Sequence, residues 1–237
     1  FPRDGLVLSS KAGTLLARAP LLGRGGPSQD FSPDAIESSC LRSIANLGCG
    51  QLDIFQLHGI TPEQLTDALL RRLQDMRARG LFRCLGINTH SARTMQRISA
   101  EPGLFDVALV DYNILQLDRE PLLQAMDAAG IGVLAGTVLA QGHLLPGRIH
   151  RVRSLADVWY FARAKLKPTG RELAAAARAM GPVLSQVDGL SAAQAAAAWV
   201  LRNPHVGACL IGTTRPDNLR TLLATDATRL GDADIAR

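Results

Sequence analysis

Six short apolar runs, each closing on a small or polar residue, alternate with segments of helical spacing. They are Leu6–Lys11, Leu52–His58, Phe82–Asn88, Phe105–Asn113, Ile131–Thr137 and Ala208–Thr213. Strands buried on both faces read as continuous apolar runs, so strand–helix alternation of this kind predicts a parallel α/β sheet. The polar run ends then fall at the C-terminal ends of the strands, where such folds carry their chemistry. With 237 residues, 47% of them hydrophobic, the chain has enough apolar surface for one large core. A closed eight-unit barrel takes about 250 residues, so six strand–helix units predict most of a (β/α)8 TIM-type barrel. The expectation is a single barrel domain over 1–237, N-terminally incomplete because Phe1 leads almost at once into a strand. A sheet edge left unpaired would favour a homo-oligomer.

Local signals mark the helices. Ser32-Pro33-Asp34 predicts a helix start, with Ile36, Cys40, Ile44 and Leu47 as its apolar stripe and Gly48 as its end. Thr61-Pro62-Glu63-Gln64 reads as a capping box opening a helix to about Arg79, stopped by Gly80. Ser91 caps the next helix, Gly170–Met180 reads as another, and Ser191-Ala-Ala-Gln194 is a second capping box. Pro216-Asp217-Asn218 starts a last helix. Between Gly13 and Gln29 lies a long Gly/Pro/Arg-rich loop of the kind that is functional or mobile.

Composition narrows the function. Net charge is +5 and 20% of residues are charged. The Arg-rich pieces at Arg71–Arg72 and Arg148–Arg153 are interrupted by apolar or acidic neighbours, which argues against a nucleic-acid footprint. Four cysteines without CxxC spacing read as buried free thiols of a reducing, cytoplasmic compartment rather than metal ligands. No apolar run reaches membrane length and no signal peptide is visible. The expected partner is a small-molecule substrate.

Two strand ends are chemically potent. Desolvating an ammonium costs several kcal/mol, so lysines are seldom buried unless paired or catalytic. Lys11 is therefore either a solvent-facing residue at a strand exit or a working amine. His58 is either a structural hydrogen-bonder or a catalyst. At neighbouring strand ends the two would donate hydrogen bonds to one carbonyl oxygen and stabilise charge developing there. Trp159, Tyr160 and Phe161 form an aromatic cluster that is either packing or pocket lining.

Ser39-Cys-Leu-Arg-Ser-Ile-Ala-Asn-Leu-Gly48 followed by Leu52-Asp-Ile-Phe-Gln-Leu-His58 resembles the aldo-keto reductase family. So do Gly80-Leu-Phe-Arg-Cys-Leu-Gly-Ile87, Tyr112-Asn113, Val133-Leu-Ala135, Ala140-Gln-Gly142, and Ala193-Gln-Ala-Ala-Ala-Ala-Trp-Val-Leu-Arg202 leading to Ile211-Gly212-Thr213-Thr214. The resemblance runs from about Phe1 to Leu223 and implies a (β/α)8 barrel that uses NADP(H) or NAD(H) to interconvert carbonyls and alcohols. It places the catalytic lysine at Lys11 and the catalytic histidine at His58. The family's aspartate and proton-donating tyrosine lie before the segment matching Phe1, and neither Tyr112 nor Tyr160 takes the tyrosine's place.

For the cofactor, the resemblance implies Asn88 and Thr89 at the carboxamide and Gly212, Thr213 and Thr214 at phosphate, with Arg215 near a 2′-phosphate. Three positions depart from the pattern. Leu109 stands for a glutamine, Gly136 for the aromatic that stacks on the nicotinamide, and Thr221-Leu222 for a Glu-Asn pair. The leading expectation is an NAD(P)H-dependent oxidoreductase acting on a small or sugar-like substrate. The alternatives are a non-redox dehydratase, isomerase or cyclase on the same scaffold, and a non-catalytic barrel subunit.

Overall fold

The computed structural model describes residues 3–15, 28–142, 144, 168–213, 215–231 and 234. Eight strands are present among them: β1 (Ser9–Ala12), β2 (Thr14–Leu15), β3 (Ser28–Gln29), β4 (Leu52–His58), β5 (Phe82–Thr89), β6 (Val107–Asp111), β7 (Gly132–Gly136) and β8 (Ala208–Cys209). Six join in one sheet in the order β1-β4-β5-β6-β7-β8, and β2 pairs with β3 in a small antiparallel ribbon. The helices are α1 (Pro33–Leu47), α2 (Asp67–Ala78), α3 (Ala92–Ser99), α4 (Glu120–Ala128), α5 (Pro168–Leu184), α6 (Ala192–Leu201) and α7 (Pro216–Leu223). Trp159, Tyr160, Phe161 and Thr214 lie outside the described residues.

The sequence-based bounds hold for β4 and shift elsewhere. The ladder of β1 starts at Ser9; just before it the Leu8 carbonyl still accepts from Asp53 N (3.0 Å) and Ile54 N (3.1 Å), while the Leu8 amide turns to the Asp53 side chain. Asp53 accepts from the Leu8 amide (2.8 Å) and from Arg3 (2.8 Å), leaving Leu6 and Val7 exposed. β8 keeps only Ala208 and Cys209. Leu210 still donates to the Ala135 carbonyl at 2.8 Å, and the chain then turns toward α7. The Thr61 capping box is made, but it closes a 3₁₀ turn at Pro62–Gln64. Leu65 then leaves helical geometry (ψ 66) to bury its side chain, and α2 begins at Asp67, capped by Thr66 Oγ1 accepting from Leu69 N at 3.3 Å. On α1, Ile36 and Cys40 are fully buried whereas Leu47 is exposed. Ser32 makes no side-chain cap there. Asp30 Oδ1 accepts from its amide at 2.9 Å instead.

Contacts part the chain into two compact units, Phe1–Val110 with Pro121–Val133 and Asp111–Glu120 with Leu134–Arg237. In the first, Leu52, Phe55, Leu57, Ile36, Leu69 and Met76 are fully buried, each contributing about 1.5–3 kcal/mol by leaving water. In the second, Ala195, Ala196 and Ala198 of α6 pack with Leu184 of α5, Leu144 and Leu230. All four cysteines are free. Burial pushes the Cys40 thiol up to about 12 and the Cys209 thiol up to about 11, so both stay protonated and inert. No helix among the described residues is long and apolar enough to cross a membrane.

Candidate active site

Strand register decides what Lys11 and His58 share. In the first unit, Lys11 pairs with Gln56 and Gln56 with Gly86; His58 pairs with Asn88 and Asn88 with Leu109. Side chains alternate between the faces of a sheet. Ser10 Oγ bonds Ser43 of α1 at 2.8 Å, so Ser10 points to the helix layer and its neighbours Ser9 and Lys11 point to the other face. The Gln56 amide reaches Ser9 Oγ at 2.9 Å on that second face. By the same alternation, His58 and Asn88 stand there as well.

Their electrostatics agree with this placement. His58 sits below its ordinary pKa because burial disfavours the imidazolium, with the Lys11 charge and then His90 adding to the effect. It is therefore neutral at pH 7 and able to donate one ring N–H. The linkage sign follows: the folded state binds fewer protons than the unfolded chain, so His58 costs nothing above the unfolded pKa. It subtracts stability as pH falls from the unfolded value to its own lowered one, and the loss is complete below that. Lys11 is exposed as a residue, yet its amine has lost enough hydration to lower its pKa. No described carboxylate pairs with it.

The ends of β1 and β4 are strapped together. Thr14 Oγ1 donates to the His58 carbonyl at 2.8 Å, and Gln29 Nε2 donates to the Gly59 carbonyl at 3.3 Å and to Thr14 Oγ1 at 3.4 Å. Gly59 in turn donates its amide to the Asn88 carbonyl at 2.8 Å. These contacts were not read from the sequence; Gly13 and Gly59 mark the two turns that the strap spans. Both have positive φ, and a Cβ on Gly59 would lie 2.9 Å from Gln29 Nε2.

The residues suggested for a dinucleotide divide between the units. Asn88 is 7% exposed and Thr89 2% exposed. Among the described residues nothing bonds the Asn88 side-chain amide, an arrangement suited to a ligand carboxamide. Thr89 Oγ1 is already engaged, accepting from Ser91 N at 3.0 Å to start α3. Leu109 is buried and apolar, and Gly136 offers no ring.

In the second unit, Thr213 Oγ1 accepts from Arg215 N at 3.1 Å and from Asn218 Nδ2 at 3.3 Å, shaping the entry to α7. Arg215 at the N-cap makes no side-chain cap, and a Cβ at Gly212 would meet nothing within 4 Å among the described residues. Arg215 is exposed, and Asp217 is drawn aside by Arg220 at 2.7 Å. A helix start with an exposed arginine at its N-cap is suited to a phosphate. In the first unit, Asn88 is the residue among those described whose side-chain amide is left for a carboxamide.

Tyr112 is fully buried in the second unit. Its hydroxyl donates to Glu120 Oε1 at 2.9 Å and accepts from Asn203 Nδ2 at 2.9 Å, with Trp199 5.4 Å away centroid to centroid. Burial, with Glu120 adding to it, drives its pKa up, which leaves it a structural hydroxyl rather than an acid.

Similarity to known proteins follows the same outline. The chain is 30% identical over 241 residues to the L-glyceraldehyde 3-phosphate reductase of Escherichia coli K12, covering 92% of this chain and 64% of that protein. It is 27% identical over 255 residues to the NADH-specific methylglyoxal reductase of the same organism, covering 99% of this chain and 73% of that one. The chain thus spans 64% of the length of the first relative. Among solved structures, an aldo-keto reductase from Bacillus halodurans in its holo form superposes with a TM-score of 0.73 at 18% identity, covering 98% of this chain and 72% of that one. The fold is accordingly the parallel α/β architecture of the TIM-type barrel, here contributing six strands of its sheet. With the family's model matching residues 1–237, the chain belongs to the aldo/keto reductase family.

Proposed function

We propose that the protein is an NAD(P)H-dependent oxidoreductase interconverting a carbonyl and an alcohol on a small or sugar-like substrate. The observation that carries this reading is the shared sheet face of Lys11 and His58, with the amine's charge felt at the imidazole. The neutral His58 donates a hydrogen bond to the substrate oxygen, and the Lys11 ammonium offsets the negative charge that develops there. A bound reduced nicotinamide supplies the hydride. Asn88 orients its carboxamide, Thr89 shapes the turn beside it, and Gly212, Thr213, Thr214 and Arg215 receive phosphate. Tyr112 is not the proton donor, because Glu120 holds its hydroxyl. The proton that converts the alkoxide to the alcohol would come from the family's tyrosine, to which no residue of this sequence corresponds, or from water. Small aldehydes like those named for the relatives are the first substrates to try. Four free thiols support a reducing, cytoplasmic setting.

Titration of the natural protein with NADPH and with NADH, followed by Trp fluorescence, tests the cofactor. Binding in the micromolar range is expected. Arg215→Ala should weaken NADPH by about tenfold while leaving NADH nearly unchanged, since only NADPH carries the extra phosphate. Absence of binding at millimolar cofactor would overturn the redox reading and leave proton-transfer chemistry by Lys11 and His58 as the alternative.

A further inference from the structure

The peptide that follows His58 is held at both ends. Its N–H, that of Gly59, donates to the Asn88 carbonyl on the β5 side at 2.8 Å. Its carbonyl, that of His58, accepts from Thr14 Oγ1 on the β1 side at 2.8 Å. The second bond stands where a ladder rung is missing. β1 pairs with β4 as far as Ala12 against Leu57, after which Gly13 turns the chain with φ +103 and gives its carbonyl to the Asp30 amide at 2.8 Å. A side-chain hydroxyl thus takes over from the backbone at the strand end. Thr14 is itself held. It pairs with Gln29 across the β2–β3 ribbon, and Gln29 Nε2 donates to Thr14 Oγ1 at 3.4 Å and to the Gly59 carbonyl at 3.3 Å. A hydroxyl has one proton to give, and that of Thr14 goes to the His58 carbonyl while a lone pair receives Gln29.

We infer that Thr14 is a positioning residue for His58: its hydroxyl fixes the His58–Gly59 peptide from the β1 side and so sets where the imidazole stands at the strand end. Clamping that peptide fixes ψ of His58, and with it the direction of the Cα–Cβ bond relative to both neighbouring strands. A residue in the middle of a strand is restrained by two ladders. His58, last in β4, has a ladder partner on the β5 side, at Asn88, and Thr14 on the other. An imidazole that must meet a substrate oxygen needs both restraints, because productive placement tolerates a displacement of only about 0.5 Å. The bond is a property of the chain by itself; its effect on turnover rests on the role proposed for His58.

An NMR titration of the His58 imidazole in the unsubstituted protein, in Thr14→Val and in Thr14→Ser reads the ring's surroundings without cofactor or substrate. Valine keeps the shape of threonine and removes the hydroxyl, whereas serine keeps the hydroxyl. The charged and titratable neighbours of the ring are Lys11 on β1 and His90 just after β5. With the clamp released, the ring samples positions nearer water and farther from Lys11, so its titration should move to higher pH in Thr14→Val. Thr14→Ser should leave it in place. With cofactor and a small aldehyde, Thr14→Val should lower kcat about tenfold while KM stays within about twofold, and Thr14→Ser should restore kcat.

A His58 titration identical in all three proteins would overturn the inference. So would a shift in Thr14→Ser as large as that in Thr14→Val, since the hydroxyl would then not be what holds the ring. If Thr14→Val fails to fold, Thr14→Ala removes the same bond and carries the same expectation. Should the titration move as expected while kcat of Thr14→Val is unchanged, the catalytic role of His58 fails and the positioning bond stands. An unmoved titration, with His58→Ala inactive, would sink the positioning bond alone.

Discussion

Lys11→Met and His58→Ala are each expected to lower kcat/KM for carbonyl reduction by about 10²-fold or more, roughly 3 kcal/mol of transition-state stabilisation. The reason is geometric. Both groups stand on one sheet face at adjacent strand ends, and in the proposed reaction both act on charge that grows on a single oxygen. The loss should appear mainly in kcat, because that charge is small in the bound carbonyl and large in the alkoxide-like transition state. Groups acting on one atom are not additive, so the double variant should lose much less than the product of the two single losses. Melting temperature serves as the control. Lys11 is exposed and makes no ion pair with a described residue, so Lys11→Met should leave stability within about 0.5 kcal/mol. Unaltered turnover in both single variants would reduce the pair to scaffold.

Gly13→Ala should be among the most destabilising single substitutions in the first unit, costing about 2–4 kcal/mol. Two penalties coincide. Gly13 has φ +103, which a residue with a Cβ rarely adopts, and the added carbon would fall on the Phe31 ring, 2.6 Å from Cζ and 2.8 Å from Cδ1. Phe31 is 8% exposed and has little freedom to retreat. The Gly13 carbonyl also accepts from Asp30 N at 2.8 Å, so displacement would pull on the strap through Thr14 and Gln29 that holds the His58 carbonyl. Calorimetry should show a fall in melting temperature on the order of 10 °C. Adding Phe31→Ala to Gly13→Ala should remove the overlap and leave the backbone strain, so the two changes should cost less together than their sum. Strict additivity would contradict the packing account.

The order of strands and helices was legible in the sequence because buried parallel strands announce themselves as apolar runs and because Gly48, Gly80, Ser91 and Ser191 punctuate the helices. Element edges were less so. Leu6 and Val7 look like strand by composition, yet a 3₁₀ turn at Arg3–Gly5 takes the Leu6 amide and the Asp53 side chain, distant in sequence, takes the Leu8 amide and Arg3. The Thr61 box was correctly read as a cap, yet the structure continues its turn for three residues only, since burying Leu65 outweighs the helical continuation.

At the site, Lys11 and His58 stood out because charged or polar residues rarely end apolar runs. Thr14 and Gln29 did not, because a strap across two strand ends is a tertiary fact.

The most direct test of the shared-face claim is an NMR titration of the His58 imidazole in the unsubstituted protein and in Lys11→Met. Removing the neighbouring positive charge should move the His58 titration to higher pH while burial still holds it below the ordinary histidine value. A His58 titration that is identical in both proteins, or that lies at the value of a free histidine, would mean that the amine and the imidazole do not share one site.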